Sequence, residues 1–276
     1  MKVNVLGVHL YVGVKKPADV FSGFASRSLF YKILQRASPE DFRRIHVEGK
    51  PTPYYLTPFV DIKGKFIFKI REDGEYFINV YSIARDLSKI TWSLIEHETI
   101  ETKNYLFKIL GVAVSSIDVK PLEVDLGDVI IIKFLTPTSF RVTPYSKIKS
   151  YSTYFPFPRP DLLLRSLVRT VGMSSNNGAS DYESIDLNAL RLISFRDSST
   201  MLIRDFMGRP YVGFTGTFYF EVKSVSPILR LLSLAEYVGL GGWRTAGFGR
   251  VRLDVAHKGG VRNKTKYQSN KVNISI

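Results

Sequence analysis

Apolar positions recur along the chain with two different periods, and the switches between them mark out its elements. Val3, Val5, Val8, Leu10 and Val12 predict a first strand with broken alternation. From Ser22 to Ala37 the period lengthens: Phe30, Ile33, Leu34 and Ala37 stand at i, i+3, i+4 and i+7, one apolar face of a helix. Pro51 and Pro53 close the loop that follows. Tyr55 to Ile62, Lys65 to Ile70 and Tyr76 to Tyr81 alternate like strands, with Lys63-Gly64 and Asp73-Gly74 as turns. A helix near Ala84 to Ile95 and strands near Tyr105 to Val114 and Ile117 to Val124 complete this half.

The second half repeats the plan. Val129 to Phe134 reads as a strand, and Pro160 opens a helix to Val171 with Leu163, Leu164, Leu167, Val168 and Val171 on its apolar side. Gly172 to Ser184 is polar and reads as a loop, and Leu190 to Phe195 and Val212 to Val222 read as strands. Ser226-Pro227 caps a helix that stops at Gly239, and Gly247 to Val255 is the last strand. Each half thus reads β-α-β-β-α-β, which predicts an α+β fold of two tandem ferredoxin-like (RRM-like) domains. The boundary falls near Asp125 to Asp128, giving domains 1–124 and 125–256. Residues 257–276 form a basic tail without periodicity, expected to be mobile.

Charge narrows the partners. The net charge of +14 argues for a polyanion. Fifteen Tyr and nineteen Phe supply faces for unpaired bases, although most of the Phe belong in the core. The absence of Cys excludes disulfides and thiolate metal sites, and His9, His46, His97 and His257 have no metal-binding spacing. No cofactor or metal is expected, the pair Asp125 and Asp128 included. The N-terminus starts a strand rather than a signal peptide, and no apolar run approaches the ~20 residues that span a bilayer, so a cytoplasmic location with no membrane partner is expected. Few Cys, Met and Gln beside many Lys, Ile and Tyr lean towards a thermophilic source.

The densest local signal runs from Ala235 to Leu253. Gly239, Gly241, Gly242, Gly247 and Gly249 fall within eleven residues around Trp243 and Arg244. The order is helix, loop, strand, the reverse of a dinucleotide fingerprint, and the spacing is not that of a P-loop. Backbone amides in such a loop are candidates to meet phosphate oxygens, with arginines on either side.

Taken with this loop, Ser22 to Tyr31, Lys50 to Phe59, Lys133 to Phe140, Tyr154 to Pro158 and Val212 to Gly216 resemble a CRISPR repeat-processing endoribonuclease of the RAMP superfamily. The resemblance implies tandem ferredoxin-like domains and a metal-independent transesterification of precursor CRISPR RNA. The ribose 2′-OH attacks the adjacent phosphate and expels the next 5′-oxygen, leaving a 2′,3′-cyclic phosphate and a 5′-OH. Such chemistry needs a base, an acid and cationic donors around the phosphorane. The partners implied are CRISPR repeat RNA, subunits of an effector complex and a second copy of the chain in a homodimer. The same superfamily contains non-catalytic subunits that bind guide RNA, the alternative reading. A general RRM-like binder is a weaker one, since no RNP1 motif is present.

His46 follows Phe42-Arg43-Arg44-Ile45 and titrates near neutrality, so it can take or give a proton. Family members with a catalytic His carry it in this region, and Tyr31, on the flank of the first helix, matches a Tyr used beside it. Lys50, four residues on from His46, is placed to stabilise phosphorane charge. Arg27, Lys32, Arg159, Arg165, Arg169 and Arg250 are candidate phosphate contacts. Gly241, Gly242, Trp243 and Arg244 are candidates to hold or stack on a nucleotide.

Overall fold

The first strand, β1 (Val3–Lys15), lies between two antiparallel neighbours, β5 (Gly74–Ser82) and β7 (Leu106–Val119). In this computed structural model the described residues are 3–15, 19–45, 54–83, 87, 90–91, 98–142, 153–172 and 186–258. Alternation along β1 sends Val8, Leu10, Val12 and Val14 to one side, where they pack with Leu29, Phe30, Ile33 and Leu34 of helix α1 (Ser22–Ala37). Gly7, His9, Tyr11 and Gly13 point to the other side. Short strands β2 (Tyr54–Leu56), β3 (Phe59–Val60), β4 (Phe66–Ile67) and β6 (Thr99–Glu101) complete a sheet of order β4-β3-β5-β1-β7-β6, with β2 also on β5.

The second sheet has the order β11-β12-β8-β13, built from β8 (Val129–Thr138), β11 (Leu190–Arg204), β12 (Pro210–Val222) and β13 (Val251–Ala256). A two-stranded ribbon, β9 (Phe140–Val142) and β10 (Thr153–Phe155), leads into helix α3 (Pro160–Gly172), while α2 (Pro39–Ile45) follows α1 in the first half. In both sheets the strand that opens the half (β1 or β8) lies between the strand that ends it (β7 or β13) and a strand from the middle of the half (β5 or β12). This is the antiparallel ferredoxin-like order, present twice in tandem, as the periodicity predicts.

Several boundaries differ from the sequence expectation. The predicted break near Ser115-Ser116 is absent, because both serines serve the sheet: Ser115 Oγ bonds His9 Nε2 at 2.8 Å and Ser116 Oγ accepts from Asn4 Nδ2 at 2.8 Å. β11 runs nine residues past Phe195 to Arg204, with irregular pairing between Leu192 and Ser194 and between Arg196 and Ser199. The helix expected from Ser226 to Val238 is broken into α4 (Pro227–Arg230), a 3₁₀ turn (Leu231–Leu234) and α5 (Ala235–Val238), and Ser226 makes no side-chain cap. The last strand starts at Val251, not Gly247. Of the helix expected at 84–95, only 87 and 90–91 are described, and Thr91 donates its amide to the Leu87 carbonyl at 3.0 Å as helical residues do. Most of the loop expected from Gly172 to Ser184, and the tail beyond 258, lie outside the described residues.

The halves share their interior. The core of the second sheet takes in Val5, Tyr55, Tyr81, Val119, Leu122 and Val124 from the first half. A separate aromatic cluster at the junction joins Phe21 and Phe24 of the first half to Ala246 and Phe248 of the second, with Tyr211 and Trp243 packed against it. Phe206, at the tip of the β11–β12 hairpin, reaches back to Tyr105 with 5.9 Å between ring centroids.

Candidate functional site

The described part of the site is assembled around the seating of α1. Its first turn, Ser22 to Ala25, is buried throughout. A Cβ on Gly23 would lie 2.0 Å from the Ala246 carbonyl oxygen, so only glycine allows the two backbones to approach this closely. Beside it, Ser22 donates its hydroxyl to the Ile67 carbonyl and accepts the Phe59 amide at 3.2 Å, and the Ser22 amide bonds the Phe68 carbonyl at 2.8 Å. The N-terminal end of α1 is thus fixed to the strands of its own half and to the glycine-rich loop of the other.

Tyr31 lies about two turns further along α1, half-buried against the first core. Its ring meets Phe42 of α2 edge-on, with 6.1 Å between centroids and planes at 85°. Phe42 precedes His46 by four residues in the sequence. His46 and Lys50 themselves lie outside the described residues. Neither Gly23 nor Phe42 was singled out by sequence reasoning. The available signal was a glycine in the first turn of an amphipathic helix and an aromatic residue one turn before a candidate base.

Four amides of the glycine-rich loop are taken up within the protein. Gly241 donates to Ser166 Oγ at 2.7 Å, Gly242 to the Ser139 carbonyl at 2.9 Å, Leu240 to the Gly249 carbonyl at 2.9 Å and Gly249 to the Pro137 carbonyl at 3.0 Å. A Cβ on Gly249 would lie 2.0 Å from the Leu240 carbonyl oxygen. These glycines permit close packing of backbone on backbone, and the amides of Gly241 and Gly242 do not point at a phosphate in this arrangement.

Arg244 is likewise turned inward. Its Nη1 donates to Thr170 Oγ1 at 2.6 Å and to the Val238 carbonyl at 3.3 Å, and desolvation pulls its pKa down to about 10. Trp243 adopts a left-handed backbone, φ 52°, and stacks on Tyr154 with centroids 3.8 Å apart. Tyr211 meets it edge-on at 4.7 Å. Arg250 donates its amide to Thr136 Oγ1 at 2.9 Å, and its guanidinium lies 5.4 Å from the Tyr81 ring centroid and 5.9 Å from that of Tyr55. Burial pushes the Tyr55 phenol above its ordinary range, with Arg250 pulling against it.

The remaining basic candidates face outward. Lys32 on α1 and Arg165 and Arg169 on α3 are exposed, the last two one turn apart on one side of the helix. Arg159 is exposed but engaged, donating through Nε and Nη2 to both carboxylate oxygens of Asp161 at 3.0 and 2.9 Å. Arg27 is half-buried, 5.1 Å above the Phe24 ring centroid. No group of three or more His, Cys, Asp and Glu able to hold a metal ion occurs among the described residues, and none of their helices is long and apolar enough to cross a membrane.

The repeated fold, with α1 and the glycine-rich loop meeting at the junction, defines the class: a tandem ferredoxin-like protein. Residues 132–251 match the family model described as CRISPR-associated endoribonuclease Cas6, which bears out the resemblance read from the sequence. Comparison with curated proteins finds no match. Among solved structures, a product complex of the Cas6 protein TTHB231 is 18% identical, with a TM-score of 0.68 over 92% of this chain and 100% of that one. TTHB231 of Thermus thermophilus in a second structure gives 19% identity and a TM-score of 0.58 over 92% and 99%. A Cas6-related protein of Pyrococcus furiosus is 13% identical, with a TM-score of 0.55 over 92% and 99%. At these identities the structures establish the fold.

Proposed function

We propose that the chain is a metal-independent endoribonuclease that cuts precursor CRISPR RNA within its repeats. The 2′-OH attacks the neighbouring phosphorus, the bond to the next 5′-oxygen breaks, and the products carry a 2′,3′-cyclic phosphate and a 5′-OH. The observation that carries this reading is the Cas6 family match over residues 132–251. Two features support placing the chemistry in residues 1–124: the fixed seat of α1, and the contact of Tyr31 with Phe42, from which the chain runs directly to His46.

In this reading His46 and Tyr31 share proton removal from the 2′-OH and proton delivery to the departing 5′-oxygen, while Lys50 stabilises charge on the phosphorane. Residues 125–256 hold the RNA, with Arg165 and Arg169 on phosphates. Arg244 and the glycines of the loop act indirectly, by locking α1 against the second half.

The test is cleavage of a matched repeat RNA in the presence of EDTA, with the product ends mapped. A single cut leaving a cyclic phosphate and a 5′-OH is expected. A 2′-deoxy nucleotide at the cut site should stop cleavage and leave binding intact. Strict dependence on a divalent ion, or cutting of the deoxy substrate, overturns the mechanism.

A further inference from the structure

We propose that the face of the first sheet opposite α1 is a second RNA contact, a stacking platform for unpaired bases carried by Tyr11 and Phe77; this rests on the reading of the chain as an RNA-processing protein. The two residues sit directly opposite one another on the neighbouring strands β1 and β5. Their rings stack on each other, with centroids 4.9 Å apart and planes at 23°. Neither ring belongs to any of the three apolar clusters, and both are partly exposed.

The surroundings keep the face open. The position facing Tyr11 on β7 is Gly111, the next along β1 is Gly13, and the residue facing His9 on β7 is Ala113. A Cβ on Gly111 would meet only Tyr11 Cβ, at 3.8 Å. Lys15 and Lys108 are exposed on the same face beyond Gly13, where Lys108 is the β7 partner of Gly13. Towards the junction, His9 is buried and bonds Asn79 Oδ1 and Ser115 Oγ, both at 2.8 Å, which closes that end of the face. Tyr11 donates its hydroxyl to Glu75, whose carboxylate leaves acceptor capacity for the exocyclic amino group of a base.

Pairs of aromatic rings on the central strands of a four-stranded antiparallel sheet are the means by which RRM-type domains hold single-stranded RNA. Here a ring pair stands on the two central strands of a larger, seven-stranded sheet, without the RNP1 motif. A net charge of +14 favours a polyanionic RNA occupant over a neutral or basic peptide.

The experiment measures binding of a fluorescently labelled oligouridylate and of a matched repeat RNA to the full chain. Tyr11→Ala and Phe77→Ala should each weaken oligouridylate binding by about tenfold, while Tyr11→Phe retains it. Photocrosslinking of 4-thiouridine-substituted repeat RNA should mark the peptides containing Tyr11 and Phe77. Unchanged oligouridylate affinity in both alanine variants, beside wild-type cutting of the repeat, overturns the platform and leaves the nuclease reading standing. Failure of the wild-type chain to bind or cut any repeat sinks the nuclease reading, and retained oligouridylate binding through these rings then still supports the platform. If an alanine variant melts early, Phe77→Leu decides: it keeps the bulk and removes the π-face, and wild-type affinity in it overturns the proposal.

Discussion

Over the first sheet, α1 is enclosed on several sides: Gly23 lies against Ala246, Ser22 bonds Ile67 and Phe59, and Phe24 packs with Tyr211 and Phe248. Over the second sheet, α3 buries Leu163, Leu164 and Leu167 but leaves Arg165 and Arg169 in solvent. The outer sheet faces differ too. The first carries the Tyr11–Phe77 stack, whereas the second carries charged side chains with cations in excess, Arg191 and Lys223 both on Glu221 and Arg196 over Tyr219. One topology therefore serves two ends. On the proposed function, the first half holds a helix in the fixed position that acid–base chemistry needs, and the second half supplies the clamp and the exposed cations.

That division breaks or stands on a paired measurement. His46→Ala should slow cleavage of repeat RNA by ~100-fold or more, the usual scale for a lost acid–base group, with affinity little changed. The double variant Arg165→Ala, Arg169→Ala should do the opposite, weakening binding and flattening its salt dependence by roughly one unit of slope per arginine while bound RNA is cut at a normal rate. Wild-type rates in the first variant, or loss of the chemical step in the second, dissolve the contrast between the halves.

A smaller effect tests the clamp alone. Gly23→Ala places a methyl group within 2.0 Å of a backbone oxygen, so α1 or the Arg244–Ala246 turn must shift. Overpacking of this kind costs about 1–3 kcal/mol. Melting should fall by roughly 5 °C, and cleavage should suffer more than affinity, because Tyr31 moves with the helix. Unchanged melting and turnover remove α1 seating from the account.

These contrasts were unequally legible in the sequence. The helical period from Ser22 to Ala37 reports one buried face and locates α1, and alternation locates the strands of both sheets. Serines in the middle of β7 and the polar run Arg196 to Thr200 in β11 hid continuous strands, because their hydrogen bonds cross to neighbours far away in sequence, as from Ser199 to Thr215. The glycine-rich loop was visible, but its use was not. A glycine that admits a phosphate and one that admits another backbone have the same sequence signature, and only the partner, Leu240 or Ala246, separates them. Tyr11 and Phe77 look like ordinary strand aromatics until register places them side by side.

The smallest effect concerns the second half on its own. Asp128 is buried, and burial raises its pKa, but the amides of Asp125 and Lys258, each donating at 2.9 Å, and His257 Nδ1 at 2.8 Å outweigh this and hold it below the ordinary carboxylate range. A carboxylate whose pKa is lower folded than unfolded contributes stability above its unfolded value, near pH 3.9, and loses it as the pH falls through the folded value. Asp128→Asn keeps the shape and removes the charge, so it should cost about 1–3 kcal/mol at pH 6, and the difference from the native chain should shrink steadily below pH 4. Thermal melts of both proteins between pH 6 and pH 2 check this. A difference that is constant across that range means the ion contributes nothing and the clasp between the start of β8 and the end of β13 is held by packing alone.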